Sequence, residues 1–343
     1  MTGRERILRT LRHEEVDALP NVPITMMKAA SEIGVPYRTY ALDPEAHVRG
    51  QMAVSRAFGI DHVSAISDPA VEAADLGAPV IYREDAPPAL DDAAPLLEDP
   101  RHLLSLRIPD PWSSDRMRAR LQVIARLKEE SGGEKAVEGW IEGPLAEACD
   151  LRGLSRIMTD FYDAPAFVHD LVEFVLGVET AFARAQVEAG ADFIGVGDAA
   201  ASLIGPALYK EFVLDAEKRC VEEIHRLGVP VRLHICGNIT PLLGMLARVK
   251  PDLVDLDSMV SVAAARAAFG PEMCLAGNLN PVADVRNGSP GRIFELLSAC
   301  FRDSGSANYM VAAGCEVPRD TPPENLLALA DFARTHAPTA PSP

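Results

Sequence analysis

The chain has 343 residues, 48% of them hydrophobic, and a formal net charge of -17. So acidic a balance argues against a nucleic-acid or anionic-membrane surface, because holding phosphates takes local positive charge. The opening "MTGRERILRTLRHEEVDALP" lacks a signal-peptide core and no apolar run reaches the roughly 18 residues of a membrane span, so the expectation is a cytoplasmic protein whose partners are small molecules or other proteins. Six cysteines scattered through a chain of this size should stay reduced there, and any cluster of them points to metal or catalysis before a disulfide.

Thr2 and Glu5 have capping-box spacing, and Ile7, Leu8 and Leu11 form an apolar stripe, which predicts a short N-terminal helix. A β pattern follows at 21–24, then Asp43-Pro44 as a helix start, then a second β run at 61–67. Residues 69–135 contain "REDAPPALDDAAPLLEDPRH", too rich in proline and acid for a crossover helix, and are predicted to be an insertion after the second strand that shapes an active-site mouth. Further β runs lie at 136–142, 192–197, 231–236, 253–257, 273–277 and 309–314. Between them, helix starts are predicted after Asp163, at Thr240-Pro241, at Ser289-Pro290, and at Thr321-Pro322 with Glu324 completing a capping box; Tyr209, Val213, Ala216 and Cys220 mark another helix. Eight strands alternating with helices predict a single α/β domain over 1–335, a (β/α)8 TIM-type barrel with an N-terminal helix and an insertion after the second strand; a doubly wound sheet is the alternative. Residues 336–343 are predicted to be a disordered tail.

Alternation along "VRLHICG" puts Val231, Leu233 and Ile235 on one strand face and Arg232, His234 and Cys236 on the other. The apolar set suits packing under helices, which turns His234 and Cys236 into the barrel near its C-terminal rim, where active sites of this fold lie. Cys315, just past the last β run, comes to a similar height. An imidazole and two thiolates make a catalytic zinc set with one open corner; the same spacing also suits a core histidine with two buried thiols. A helix starting at Thr240-Pro241 would lower the Cys236 thiol pKa. Asp68, Asp198, Asp257 and Asn278 also fall at strand ends, and each is either a site residue or a cap. Glu72 beside Asp68 reads equally as a functional carboxylate couple or a solvated turn. We take Asp68, Glu72 and Asp198 as catalytic candidates and Asp257, Asn278 and Asn280 as substrate-binding candidates.

Several stretches in order, among them "SDPAVEAADLG", "EGPLAEACDLRG", "GADFIGVGDAAAS", "HICGN", "GNLNP" and "AAGCEVPRDTPPENLLAL", resemble the uroporphyrinogen decarboxylase superfamily over nearly the whole chain. His234, Cys236 and Cys315 match the HxC and distant Cys of its zinc-dependent methylcobamide:thiol methyltransferases, such as the coenzyme M enzymes. That resemblance implies Zn2+ at these three residues, a small-molecule thiol as acceptor, methylcobamide as methyl donor and a separate corrinoid protein as partner, for which the insertion offers a docking surface. A zinc-held thiolate would attack the methyl group of a methyl-cobalt(III) cobamide, giving a thioether and cobalt(I).

Two other readings compete. The superfamily's carboxy-lyases gather a porphyrin polycarboxylate with arginines near the N-terminus, where this chain offers "NVPITMMKAASEIG" with Lys28 as its only cation. A non-catalytic zinc-containing binding protein would close the metal with a fourth protein ligand, and only Asp198 or Asp257 stands ready to supply one.

Overall fold

The computed structural model describes residues 1–338. Its strands are β1 (His62–Ser64), β2 (Val80–Ile81), β3 (Ala89–Leu90), β4 (Ala136–Glu142), β5 (Phe193–Gly197), β6 (Val231–Ile235), β7 (Leu253–Leu256), β8 (Cys274–Ala276) and β9 (Tyr309–Met310). All but β2 and β3 form one parallel sheet in the order β1-β4-β5-β6-β7-β8-β9, while β2 and β3 make a separate antiparallel hairpin. The run predicted as the first strand closes the sheet on itself. Val22 N–H donates to Val311 O (2.8 Å) and Asp61 N–H to Asn21 O (2.9 Å), so residues 20–22 join both edges. They form an isolated bridge, Asn21 to Val311, rather than a regular strand; Pro20 and Pro23 on either side have no N–H to give a ladder. The molecule is thus a (β/α)8 barrel whose seam is one short extended segment. Outer helices from Pro44–Ala57 through to Pro323–Thr335 pack side by side around it.

The barrel interior is layered. Helix Gly3–Leu11, with its Thr2–Glu5 capping box formed, plugs the bottom: Ile7 and Leu11 pack on Ala136, Phe193, Leu253 and Cys274, the first residues or so of four strands. Above lies a charged layer in which buried Arg232 meets Glu138 (3.2 Å) and Asp255 (2.6 Å). The upper layer holds Trp140 against Ile24 and Ile66. The strand faces follow the expected alternation, Val231, Leu233 and Ile235 joining the large cluster under the helices. β5 carries glycine where its inward side chains would be: a Cβ on Gly195 or Gly197 would strike the Trp140 indole, so these two positions make the indole's room.

Three expectations need correcting. Residues 69–135 include helix Asp115–Glu130, which covers β4, so the irregular excursion is 77–114 only. Its later part straps the outside of the barrel, where Leu97 N–H donates to Leu151 O (2.9 Å), Arg152 donates to Leu97 O (2.6 Å) and Ile108 lies against Gly177, while the β2–β3 hairpin meets the loop after β9 through Arg319, which donates to Asp85 O (2.7 Å). The last helix begins at Pro323 with Pro322 as its cap, one residue too late for Thr321 and Glu324 to form a box; Thr321 Oγ1 is buried without a partner. The predicted tail starts too early, since the His336 ring stacks on Phe332 at 3.9 Å between centroids; residues 339–343 lie outside the described residues. The caps at Asp43 and Ser289 form as read, whereas the helix Pro165–Ala189 is capped by Ala164 and not by Asp163. No helix among the described residues is long and apolar enough to cross a membrane.

Candidate metal centre

The break after "HIC" has a local cause. Gly237 takes φ 90°, the left-handed region that favours glycine, and its N–H donates to Asp257 Oδ2 (2.9 Å) at the end of β7. β6 is thereby stopped with His234 and Cys236 still facing inward. Cys315 arrives from the loop after β9. There Gly314 runs so close to the Ser258 backbone that a Cβ would collide with it.

The three donor atoms lie within 4.8 Å of one another. His234 Nε2 is 3.0 Å from Cys236 Sγ, which is 3.5 Å from Cys315 Sγ. A tetrahedral zinc with Zn–S of about 2.3 Å and Zn–N of about 2.0 Å spaces such donors by about 3.5 to 3.8 Å. The set therefore fits the ion after opening by a few tenths of an ångström. Behind it, His234 Nδ1 sits 3.1 Å from Asp255 Oδ2, slightly off the line of a good hydrogen bond, which leaves Nε2 for the cavity. Burial pushes the imidazole pKa down, but Asp255 and Cys315 outweigh it and lift the group to about 10. The Cys236 hydrogen bond, then His234, holds the Cys315 thiol down to about 5, while Cys236 is pushed up by its bond to Cys315 and by burial. This reverses the expectation for Cys236. The stretch Thr240–Leu242 is a short 3-10 turn leading into helix Leu243–Val249, and the thiolate character falls on Cys315. Without metal the site holds protons where a divalent cation would sit, so loading releases them.

We expect Asp255→Asn to weaken zinc binding by about 10–100-fold, the usual cost of losing the group that orients a ligating imidazole; competition against a chromogenic chelator measures it.

The donors open on a cavity of about 160 Å3 whose walls include Ile24, Met26, Ile66, Pro69, Trp140, Glu142 and Glu316. Of the carboxylate candidates, Asp68 lines it, neutralised by Arg116 at 2.6 Å. The others are drawn into structural roles. Glu72 is buried and accepts from Glu142 N–H (3.2 Å), burial raising its pKa to about 7. Asp198 accepts from Leu145 N–H (3.2 Å) and Ala146 N–H (2.8 Å), capping helix Pro144–Arg152, with burial raising it to about 6. Asp257 ties the turns after β6 and β7 through Gly237 and Met259 N–H. Asn278 donates to Asp257 O (3.0 Å), and Asn280 Oδ1 accepts from Val282 and Ala283 N–H; both line a separate recess with Ser258 and Cys300. Lys28 turns away to Glu32 at 3.2 Å. Neither Asp198 nor Asp257 belongs to the donor group, so among the described residues the fourth corner faces the cavity.

Trp140, Glu142, Asp255 and Glu316 are site residues that our sequence reading passed over. The signal was period two. "AVEGWIE" places Glu138, Trp140 and Glu142 on the face opposite its aliphatics, and "LVDLD" does the same for Asp255. Glu316 carries no pattern beyond following Cys315.

Glu142 also borders a group of acids, the buried Glu72, Glu147 and Glu179 and the half-buried Asp150, all with pKa raised chiefly by desolvation. A carboxyl whose folded pKa exceeds its unfolded value destabilises the fold increasingly as pH rises above the unfolded value of roughly 4. We therefore expect the metal-free protein, whose stability carries no metal-linked protons, to melt at higher temperature near pH 5.5 than near pH 8, as scanning calorimetry would show; an optimum on the alkaline side contradicts these shifts.

The fold and site together define a (β/α)8 barrel in which a histidine and two cysteines able to hold a metal ion face a cavity at the C-terminal strand ends. The chain belongs to the uroporphyrinogen decarboxylase (URO-D) family, whose model matches residues 2–336. Among curated proteins it is 28% identical to the methylcobamide:CoM methyltransferase MtbA of Methanosarcina mazei, over 98% of each chain. It is 25% identical to a uroporphyrinogen decarboxylase of Synechococcus sp. (strain JA-3-3Ab), over 94% of this chain and 90% of that one. A solved methyltransferase from Methanosarcina mazei shares the fold, with a TM-score of 0.89, 22% identity and coverage of 97% of this chain and 98% of that chain.

Proposed function

We propose that the protein is a methyltransferase that moves a methyl group from a methylated corrinoid to a small-molecule thiol, with zinc held by His234, Cys236 and Cys315. The observation that carries this reading is the convergence of those donor atoms within 4.8 Å at the wall of a cavity open at the C-terminal strand ends. The likeness to the MtbA proteins over 98% of the chain supports it. Zinc, when bound, supplies a Lewis acid that makes a thiol ionise near neutral pH.

The remaining work falls to this chain's own groups. Asp255, itself held by Arg232, orients the imidazole. Two cysteines in place of histidines leave the centre electron-rich, which keeps a bound sulfur nucleophilic. Ile24, Met26, Ile66 and Pro69 keep the cavity wall dry, so a thiolate there is poorly solvated. The methylated corrinoid, carried by a separate protein, would approach the C-terminal rim, where Leu203, Met259 and Val282 are 61%, 64% and 46% exposed on the loops after β5, β7 and β8. That rim suits docking better than the later part of the excursion, which lies along the outer helices near Leu97 and Ile108. Six free thiols fit a reducing, cytoplasmic setting.

The decarboxylase reading meets a cavity lined by Asp68, Glu142 and Glu316, a poor host for a porphyrin polycarboxylate. Mixing the zinc-loaded protein with methylcobalamin and thiols, and following loss of the methyl-cobalt absorbance, tests the proposal. Turnover that requires both thiol and zinc supports it. Carbon dioxide release from uroporphyrinogen, with no demethylation of methylcobalamin, overturns it.

A further inference from the structure

The wall facing the donor set has a chemistry of its own. Trp140 presents its indole to the cavity, fixed in place by the glycines of β5, and the carboxyl groups of Glu142 and Glu316 stand in the same lining. Glu316 is itself positioned, accepting from Met27 N–H at 2.6 Å. Positive charge is missing: among the described lining residues none is lysine or arginine. The guanidinium behind Asp68 is committed to that acid at 2.6 Å, and Lys28 lies over the Phe58 ring, 5.2 Å from its centroid, beside Glu32.

An aromatic face with carboxylates beside it is the recognition set for an ammonium group. An anionic head group would instead find no cation in the lining to pair with, and two acids where a counter-ion should stand, the arrangement by which sites reject a ligand. The cysteines share this small lining, about 160 Å3, with Trp140, Glu142 and Glu316, so a short acceptor whose sulfur reaches the cysteines has these residues within reach of its other end.

We propose that the acceptor is a small aminothiol, its sulfur at His234, Cys236 and Cys315 and its ammonium between the Trp140 face and the Glu142 and Glu316 carboxylates. This rests on the methyl-transfer reading above and narrows it: the thiol is cationic, in contrast to the sulfonate-bearing coenzyme M named for the MtbA relatives. The methyl group goes from cobalt to sulfur, the cobalt–carbon electron pair stays on cobalt, and the thiol proton leaves to solvent, so no further reactant is needed.

The test compares 2-aminoethanethiol, 2-mercaptoethanol and 2-mercaptoethanesulfonate, which differ only at the head group, as acceptors from methylcobalamin. We expect kcat/KM to fall in that order, by about tenfold or more from first to last. Glu142→Gln should cut the amine-over-alcohol ratio by about fivefold or more while leaving the alcohol less affected. A readout that needs no turnover uses the product-shaped thioethers. In a Trp112→Phe background, 2-(methylthio)ethylamine should quench Trp140 fluorescence in metal-free protein, and 2-(methylthio)ethanesulfonate should not. Equal or better use of the sulfonate, or an amine preference untouched by Glu142→Gln, overturns the aminothiol assignment and leaves the methyl-transfer reading standing. Turnover with none of the three thiols removes both.

Discussion

Replacing Cys236 or Cys315 by alanine should strip the protein of zinc and of methyl transfer while leaving the barrel folded. Structural zinc sites are worth about 10–16 kcal/mol in all, so losing one of three protein ligands costs on the order of 3–5 kcal/mol, or about 10²–10⁴-fold in affinity. Metal analysis after dialysis against a chelator reads this directly. Zinc held at full occupancy in both variants would remove the ligand assignment. The fold should survive because neither sulfur is part of the aliphatic cluster between strands and helices, where Val231, Leu233 and Ile235 sit. Circular dichroism should therefore match that of the unaltered protein.

The second large effect is on stability. Arg232 is 1% exposed and is the shared partner of Glu138 and Asp255 in the barrel's charged layer. Burial alone would raise the pKa of both acids, yet the guanidinium holds them below the ordinary carboxylate range. Arg232→Met leaves both acids buried without their shared cation, with only His62 (3.5 Å) and His234 (3.1 Å) beside them, and we expect a loss of about 3–5 kcal/mol in denaturant unfolding. The sign of the pH dependence follows. Acids with depressed folded pKa contribute stability that is present above their unfolded values, roughly 4 to 4.5, and is lost as pH falls through the folded ones. The gap between variant and parent should accordingly narrow in acid. A gap that stays constant from pH 7 to pH 4 would show that the pairing is not its source.

These two residues also mark what could be read without coordinates. The barrel was legible because its signals are local: period-two aliphatics on β6, and caps such as Asp43 and Ser289. His234, Cys236 and Cys315 were legible because few side chains share their chemistry. The carboxylates were not. An aspartate at a strand end looks the same in sequence whether it caps a helix, as Asp198 does, ties turns, as Asp257 does, or faces the cavity, as Asp68 does. What separates these outcomes is the partner each meets across the barrel, Leu145 and Ala146 for Asp198 and Arg116 for Asp68, tens of residues away in the chain. The excursion misled for a related reason. Its composition excluded an α-helix in 77–114, where the chain forms only the β2–β3 hairpin and a 3-10 turn, but carried no information on which side of the barrel each part would lie.

The indole lodged on β5 gives the interior an unusual economy of control. Most of the enclosure's shape is fixed by main chain and by aliphatic packing that cannot give without loss elsewhere, whereas Trp140 rests on bare backbone at Gly195 and Gly197. Trimming that one ring would enlarge the chamber without disturbing any neighbouring strand, and a methyl added beneath it would push the ring outward and shrink the space. Among the side chains that bound the chamber, Trp140 is thus one whose bulk can change without cutting into a zinc ligand.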